Sequence, residues 1–461
     1  LRKHPAALAQ RGVLLFEIQA MNRKVAAMND NRSDPQANLH LDGKNFRLEM
    51  VAGSMGDRAV HLGKLRSETG CMAFDPGMAN TAICRSAITF VDGEKGVLLH
   101  RGYAIADLVE HCSFIEVAYL LIHGTLPTLE QQQQFSRLLN IHSMLHEDMR
   151  SFFGNYPEGA HPMAVLSAMV VSLSSFYPEL RLETGKEEMN ITVTRLLSKL
   201  RTIAAFSYKK SIGEPFVYPS YKFSYCENFL NMMFSSPVSH YRADAYDVAI
   251  MNKLLILHAD HEQNASTTAV RMVGSTGANL YACISAGICA LWGALHGGAN
   301  QAVVEMLERI QQQGLTVDQV VTMAKDHNDP FRLMGFGHRI YKSYDPRAKI
   351  AKQLCMAVLQ KKKPNDPLVA TALALEERAL QDSYFQDRRL YPNVDFYTGL
   401  IYRALGFPKE MFTVLFALGR LPGWIAHWQE MHQDPEQKIM RPRQLYTGPG
   451  PLPFVPIEER S

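Results

Sequence analysis

MVGSTGANLYACISAGICALWGALHGGANQAVV, residues 272–304, runs for 33 residues without a charged side chain. Such a run is either a membrane span or a helix sunk in a large water-soluble core. A span needs about 20 predominantly apolar residues. The apolar part, Leu280 to Leu295, has only 16, with Ser275, Gly277 and Asn279 before it and His296, Gly297 and Gly298 after it. It therefore reads as a buried helix that meets glycine at its end.

Outward from this run, helical spacing recurs. Ile115, Ala118, Tyr119 and Ile122 share a face, and so do Val248, Met251, Leu255 and His258. Pro127, Pro162 and Pro219 stand where helices could begin or end. The front differs. Leu39 and Leu41, then Asp42-Gly43, then Phe46, Leu48 and Met50 alternate with period two, the pattern of a hairpin. A second hairpin is expected over Ala87–Tyr103, turning at Asp92-Gly93. No repeat is evident, and Gln131–Gln134 is the one low-complexity tract. The fold class is mainly α with a small N-terminal β segment.

At 461 residues, the chain has room for two to four domains or one large helical unit with a satellite. Hydrophobic residues at 47% and charged residues at 20% are a globular balance. Lys+Arg at 48 against Asp+Glu at 45 leaves a net charge of +3, which favours neither nucleic acid nor a membrane surface as partner. Seven cysteines at 71, 84, 112, 226, 283, 289 and 355 include no C-x-x-C, so a disulfide framework is not expected. The chain starts at Leu1, which suggests processing or truncation. Residues 1–35 are basic and read as a loose arm, with a targeting peptide as the alternative.

Four segments gather ionisable residues beside glycine or apolar neighbours: 258–262 (HADHE), 294–298 (ALHGG), 335–339 (GFGHR) and 392–396 (PNVDF). Alone, His296 reads most simply as a packing residue and His338 as part of a loop. Asp395, between Val394 and Phe396, is either a helix cap or a carboxylate whose pKa is raised toward that of a useful base. Arg347, Arg420, Arg441 and Arg443 are of interest together, because guanidinium forks suit carboxylates. His258 and His261, read as one helical face, invite a metal-dependent hydrolase. The order H-x-x-H-E and the lack of an evident third ligand argue against it, and no metal is expected.

In combination the segments are far more specific. LHADHEQNAST at 257–267, LHGGANQA at 295–302, MGFGHRIYKSYDPRA at 334–348, LYPNVDFYTGL at 390–400 and RPRQLYTG at 441–448 resemble citrate synthase, in the longer bacterial-type (type II) branch. The resemblance spans roughly residues 38–448. It implies a two-domain helical fold: a small β segment at 38–66 after an arm at 1–37, a large helical domain at 67–297 and 407–448, a small one at 298–406, and a tail at 449–461. It also implies condensation of acetyl-CoA with oxaloacetate through an enol, then hydrolysis of citryl-CoA. On the matching positions, Asp395 is the base, His296 the donor to the thioester oxygen, and His338 the donor to the oxaloacetate ketone. His261, Arg347 and Arg420 bind oxaloacetate, and Arg441 does so across a dimer. Arg332 and Asn393 lie where the family receives the coenzyme. His258 becomes packing or support.

No cofactor beyond the substrates is implied, and the partner is a second copy, as a homodimer or a hexamer. Domain closure would exclude water until the carbon–carbon bond is made. His142, Met144, Tyr177, Arg195 and Lys199 match part of the branch's NADH-inhibition site, but Ile141 and Val238 replace its usual arginine and cysteine, so inhibition is expected to be weak or absent. Ala294 stands where proline is common, which predicts a small shift in helix termination. Pro422 could kink the chain beside Arg420. The expected compartment is the cytoplasm, or the mitochondrial matrix if residues 1–35 hold a targeting peptide. The nearest alternative substrate is propionyl-CoA, as in 2-methylcitrate synthase, since one methyl is worth only about 1–3 kcal/mol in a pocket.

Overall fold

The computed structural model describes residues 36–177, 186–363 and 366–460. The arm expected over 1–37 lies outside them except for Gln36 and Ala37, which are already paired in a strand. The chain separates into two compact units, one ending at Ser86 and one beginning at Ala87.

In the first unit β1 (Gln36–Leu41), β2 (Lys44–Ala52) and β3 (Arg58–Val60) form an antiparallel sheet, followed by the short helix α1 (Leu65–Thr69). The pairing Leu41↔Lys44 leaves Asp42-Gly43 as the two-residue turn expected. Their φ values of 50° and 77° are those a hairpin turn matched to strand twist requires.

The second unit opens with β4 (Thr89–Asp92), β5 (Val97–His100) and β6 (Tyr103–Ala104). The turn after Asp92 takes four residues, because the Asp92 carboxylate accepts the Glu94 and Lys95 N–H groups at 3.1 and 2.9 Å. A Cβ on Gly93 would stand 2.2 Å from Ile340 O, so glycine lets the hairpin tip approach residues 340–343.

Helices supply the rest: α2 (Ile105–His111), α3 (Phe114–His123), α4 (Leu129–Ile141), α5 (Met149–Gly154) and α6 (Pro162–Phe176). Then come α7 (Lys186–Ser211), α8 (Tyr225–Phe234), α9 (Ala245–His258), α10 (Ala265–Gly274) and α11 (Leu280–Leu291). The last are α12 (Ala299–Gln312), α13 (Val317–Lys325), α14 (Pro346–Lys362), α15 (Pro367–Gln381), α16 (Ser383–Asp387), α17 (Val394–Ala404) and α18 (Phe412–Gln433). The helical faces read at 115–122 and 248–258 lie in α3 and α9, and Pro162 opens α6.

The run at 280–295 folds as α11, capped by Asn279, and stops at Leu291, short of the sixteen residues read. The Gly297 N–H bonds to Leu291 O at 2.9 Å, and a Cβ on Gly297 would be 2.5 Å from that oxygen. This closing turn carries His296 and leaves Leu295 fully exposed. At the centre, α18 is buried from Phe412 to Trp428 and packs on α3, α9, α10 and α11. A helix apolar all round belongs in a core, where each large apolar side chain contributes about 1.5–3 kcal/mol. The helix continues through Pro422 without a break. No helix among the described residues is long and apolar enough to cross a membrane.

Candidate active site

The N-terminus of α17 sets the carboxylate. Asn393 is its cap: Oδ1 accepts the Asp395 N–H at 3.0 Å, while Nδ2 donates to Gly337 O at 3.0 Å. The capping role therefore belongs to Asn393, and Asp395 stands in the first turn with Oδ1 buried and unpartnered among the described residues. Burial pushes its pKa up to about 6, against the opposing pull of Arg347 and Arg420. It is an anion near neutral pH and still a usable base.

Two histidines have their tautomers set by backbone donors. The Ser266 N–H lies 3.3 Å from His296 Nε2, and the Ser266 hydroxyl lies 2.8 Å from the same nitrogen. A backbone N–H can only donate, so Nε2 accepts and the proton sits on Nδ1. His338 is the mirror case: the Ile340 and Tyr341 N–H groups reach Nδ1 at 3.1 and 3.2 Å, so its proton sits on Nε2. Burial, assisted by Arg420 at His296 and by Arg347 at His338, lowers both pKa values to about 4. Both rings are neutral donors at pH 7.

The remaining polar groups converge on them. The His261 ring lies 5.3 Å from that of His338, and its Nε2 is 3.1 Å from Tyr341 Oη. Arg347 is buried in a bidentate pair with Asp345, at 3.2 and 2.9 Å. Arg420 is buried too; Nε donates to His258 O at 2.7 Å, and Nη1 has no partner among the described residues. Its guanidinium lies 5.0 Å from the Phe416 ring, which also faces His296 at 6.3 Å. Arg347 and Arg420 both act on Asp395 and His261. The structure thus gathers His261, His296, His338, Arg347, Asp395 and Arg420 around one locus.

Other residues fall elsewhere. Arg441 is exposed, in the segment that follows α18. Arg332 is exposed, its Nη1 turned onto Asp329 O and Phe331 O. The expectation that His258 and His261 share a helical face is corrected. The α9 helix ends at His258, and Glu262 takes φ 56° while its N–H bonds to the Asp260 carboxylate at 3.2 Å. His258 is a core residue, with Nδ1 on Leu254 O at 2.8 Å and its ring edge-on to Phe416. Among the described residues no group of three or more His, Cys, Asp or Glu is placed to hold a metal.

A second basic cluster lies on α7. Arg195 stacks over Tyr177 at 3.9 Å, and Lys199 reaches the same ring at 5.4 Å and bonds to Met144 O. Burial, then Arg195, brings Lys199 down to about 8; burial, then Arg195 and Lys199, lowers His142. The five residues read as a regulatory site are therefore neighbours. Sequence reasoning missed Ser266 and Asp345, whose signals were faint: a serine two residues after Asn264, and an aspartate before the Pro346 that opens α14.

A buried carboxylate of raised pKa, two neutral imidazoles and two buried guanidinium groups, Arg347 at the start of α14 and Arg420 within α18, are the groups that acid–base chemistry on a small anionic compound calls for. Comparison narrows the class. The family model "Citrate synthase, C-terminal domain" matches residues 77–443. Citrate synthase 1 of Mycobacterium tuberculosis is 52% identical over 428 residues, covering 93% of this chain and 99% of that protein. Among solved structures, a ternary complex of Thermoplasma acidophilum citrate synthase with carboxymethyl coenzyme A and oxaloacetate matches with a TM-score of 0.77 at 31% identity, over 84% of this chain and 100% of that one. Citrate synthase from Pyrobaculum aerophilum matches with a TM-score of 0.75 at 35% identity, over 89% and 98%. The chain belongs to the citrate synthase family, and its enzymatic class is that of the family, an acyltransferase that makes citrate.

Proposed function

We propose that this chain joins acetyl-CoA to oxaloacetate by the following division of labour. Asp395 takes a proton from the methyl carbon of the thioester while His296 Nδ1–H donates to the thioester oxygen, giving the enol. The enol carbon attacks the ketone of oxaloacetate, and His338 Nε2–H delivers its proton to the forming alkoxide. Water then cleaves citryl-CoA to citrate and CoA. Arg347, Arg420 and His261 hold the diacid, and no cofactor beyond the substrates enters. The observation that carries this reading is the pair of tautomers set by Ser266, Ile340 and Tyr341, which leaves a donor on the free nitrogen of each ring. A thiol-release assay with acetyl-CoA and oxaloacetate tests it, and absence of release would refute it. Run with propionyl-CoA, the same assay should give a kcat/KM lower by about tenfold or more; a propionyl preference would make the chain a 2-methylcitrate synthase.

The exposed Arg441 supports a second copy supplying that side chain, in a homodimer or a hexamer of the type II kind. We read residues 298–406 as the small domain, closing on the large one and receiving CoA near Arg332 and Asn393. A bacterial relative at 52% identity supports a cytoplasmic setting. The cluster of His142, Met144, Tyr177, Arg195 and Lys199 supports a regulatory anion site for NADH. With Ile141 in place of an arginine, a lost phosphate contact costs about 1.5–3 kcal/mol. Activity titrated with NADH should show weak inhibition or none; strong micromolar inhibition would overturn this.

A further inference from the structure

One fully buried carboxylate has no part in the chemistry above. Asp260 follows the end of α9, and its Oδ2 accepts the Glu262 N–H and faces His427 Nε2, both at 3.2 Å. Its Oδ1 is buried and has no partner among the described residues. Arg420, Gly423 and His427 lie at i, i+3 and i+7 of α18, on one face. Asp260 is seated against that face because position 423 lacks a side chain: a Cβ there would stand 2.3 Å from Asp260 Oδ1 and 2.5 Å from Ala259 O. Asp260 is the foremost charge acting on Arg420, ahead of Arg347 and Asp395, and it is the foremost charge on His100. His100 is also fully buried, with Nδ1 2.9 Å from Thr89 Oγ1 and Nε2 unpartnered among the described residues. Burial disfavours the Asp260 anion, but His427, Arg420 and His100 hold its carboxyl below the ordinary carboxylate range. Arg420 donates its Nε to His258 O, and neither its Nη1 nor Asp260 Oδ1 has a hydrogen-bond partner among the described residues, so Asp260 acts on the guanidinium through space.

We propose that Asp260 is the resident counter-ion of Arg420, a positioning residue that offsets the guanidinium before the diacid binds and restrains its grip on it. The inference rests on the reading of Arg420 as a carboxylate ligand. A buried cation with no nearby anion is costly. With Asp260 in place, the empty site is tolerable, and each incoming carboxylate meets a partly neutralised cation and some repulsion. Removing the negative charge without changing shape reverses both effects. Asp260→Asn should therefore bind oxaloacetate more tightly, whereas a merely structural role would loosen it.

The test is calorimetric titration of oxaloacetate into the full-length enzyme, its Asp260→Asn variant and its Arg420→Leu variant, with melting followed with and without oxaloacetate. Asp260→Asn should lower the dissociation constant about three- to tenfold. It should lower the melting temperature of the empty enzyme and enlarge the stabilisation by oxaloacetate. A variant that folds only when the diacid is present supports the proposal, since the substrate then supplies the missing charge. An unchanged or weakened affinity, or a variant unfolded in both conditions, overturns it. Arg420→Leu separates the two readings: unchanged oxaloacetate binding there removes Arg420 as a ligand, whereas strong loss there with no tightening in Asp260→Asn removes only the counter-ion.

Discussion

Replacing Asp395 by asparagine should make the enzyme both inert and more stable. Burial raises this carboxyl from 3.8 to about 6, so ionising it is harder in the folded chain than in the unfolded one. The sign follows from proton binding. Between those two values the folded state holds the proton that the unfolded state has released, so the group's contribution to stability falls as pH rises through this window and is flat above it. The shift corresponds to about 3 kcal/mol of destabilisation at pH 8 and roughly half that at pH 5. Asp395 keeps partial exposure, so solvent screening makes these upper bounds. Urea denaturation of the wild type and Asp395→Asn at both pH values should show the variant more stable, with a gap that narrows toward pH 5. In the same variant kcat/KM should drop by about 10²–10⁴, the usual worth of a general base. The wild-type kcat/KM should rise with pH through about 6 as the base ionises. A stability gap independent of pH, or turnover within tenfold of normal, would refute the assignment.

Two further substitutions probe the frame around the base. Arg347→Leu should raise the KM for oxaloacetate more than that for acetyl-CoA, and should cost about 3–5 kcal/mol because the buried Asp345 loses its counter-charge and keeps only the backbone N–H of residue 347. Adding Asp345→Asn should restore much of that stability without restoring oxaloacetate affinity; recovery of both would remove Arg347 as a ligand. Gly297→Ala would press a Cβ to within 2.5 Å of Leu291 O and displace the turn that carries His296. It should cost about 1–3 kcal/mol and at least about tenfold in kcat, and a neutral outcome in paired melting and rate measurements would show that the turn does not fix that ring.

Much of this was legible in the linear chain because it depends on local chemistry. Asp42-Gly43 between alternating apolar residues is a turn whatever surrounds it. The 280–295 run was rightly a buried helix, but its end was not local: the closing contact of Gly297 with Leu291 O shortened it. The five strings carried the family because they hold the reacting groups and the glycines that let backbone come close. The paired histidines at 258 and 261 misled, since helical spacing means a shared face only while the helix lasts, and this one stops at His258.

By itself the sequence determined the helical class, the front hairpin and which residue types were available for acid–base work, all properties of spacing and side-chain chemistry, while its resemblance to known sequences carried the family. Only the folded chain decided which nitrogen of His296 and of His338 bears the proton, how far the Asp395 carboxyl is raised, and that Asp345 and Asp260 lie beside the arginines. Those properties depend on burial and on through-space charge, and the groups responsible are brought together from strands, loops and helices far apart along the chain.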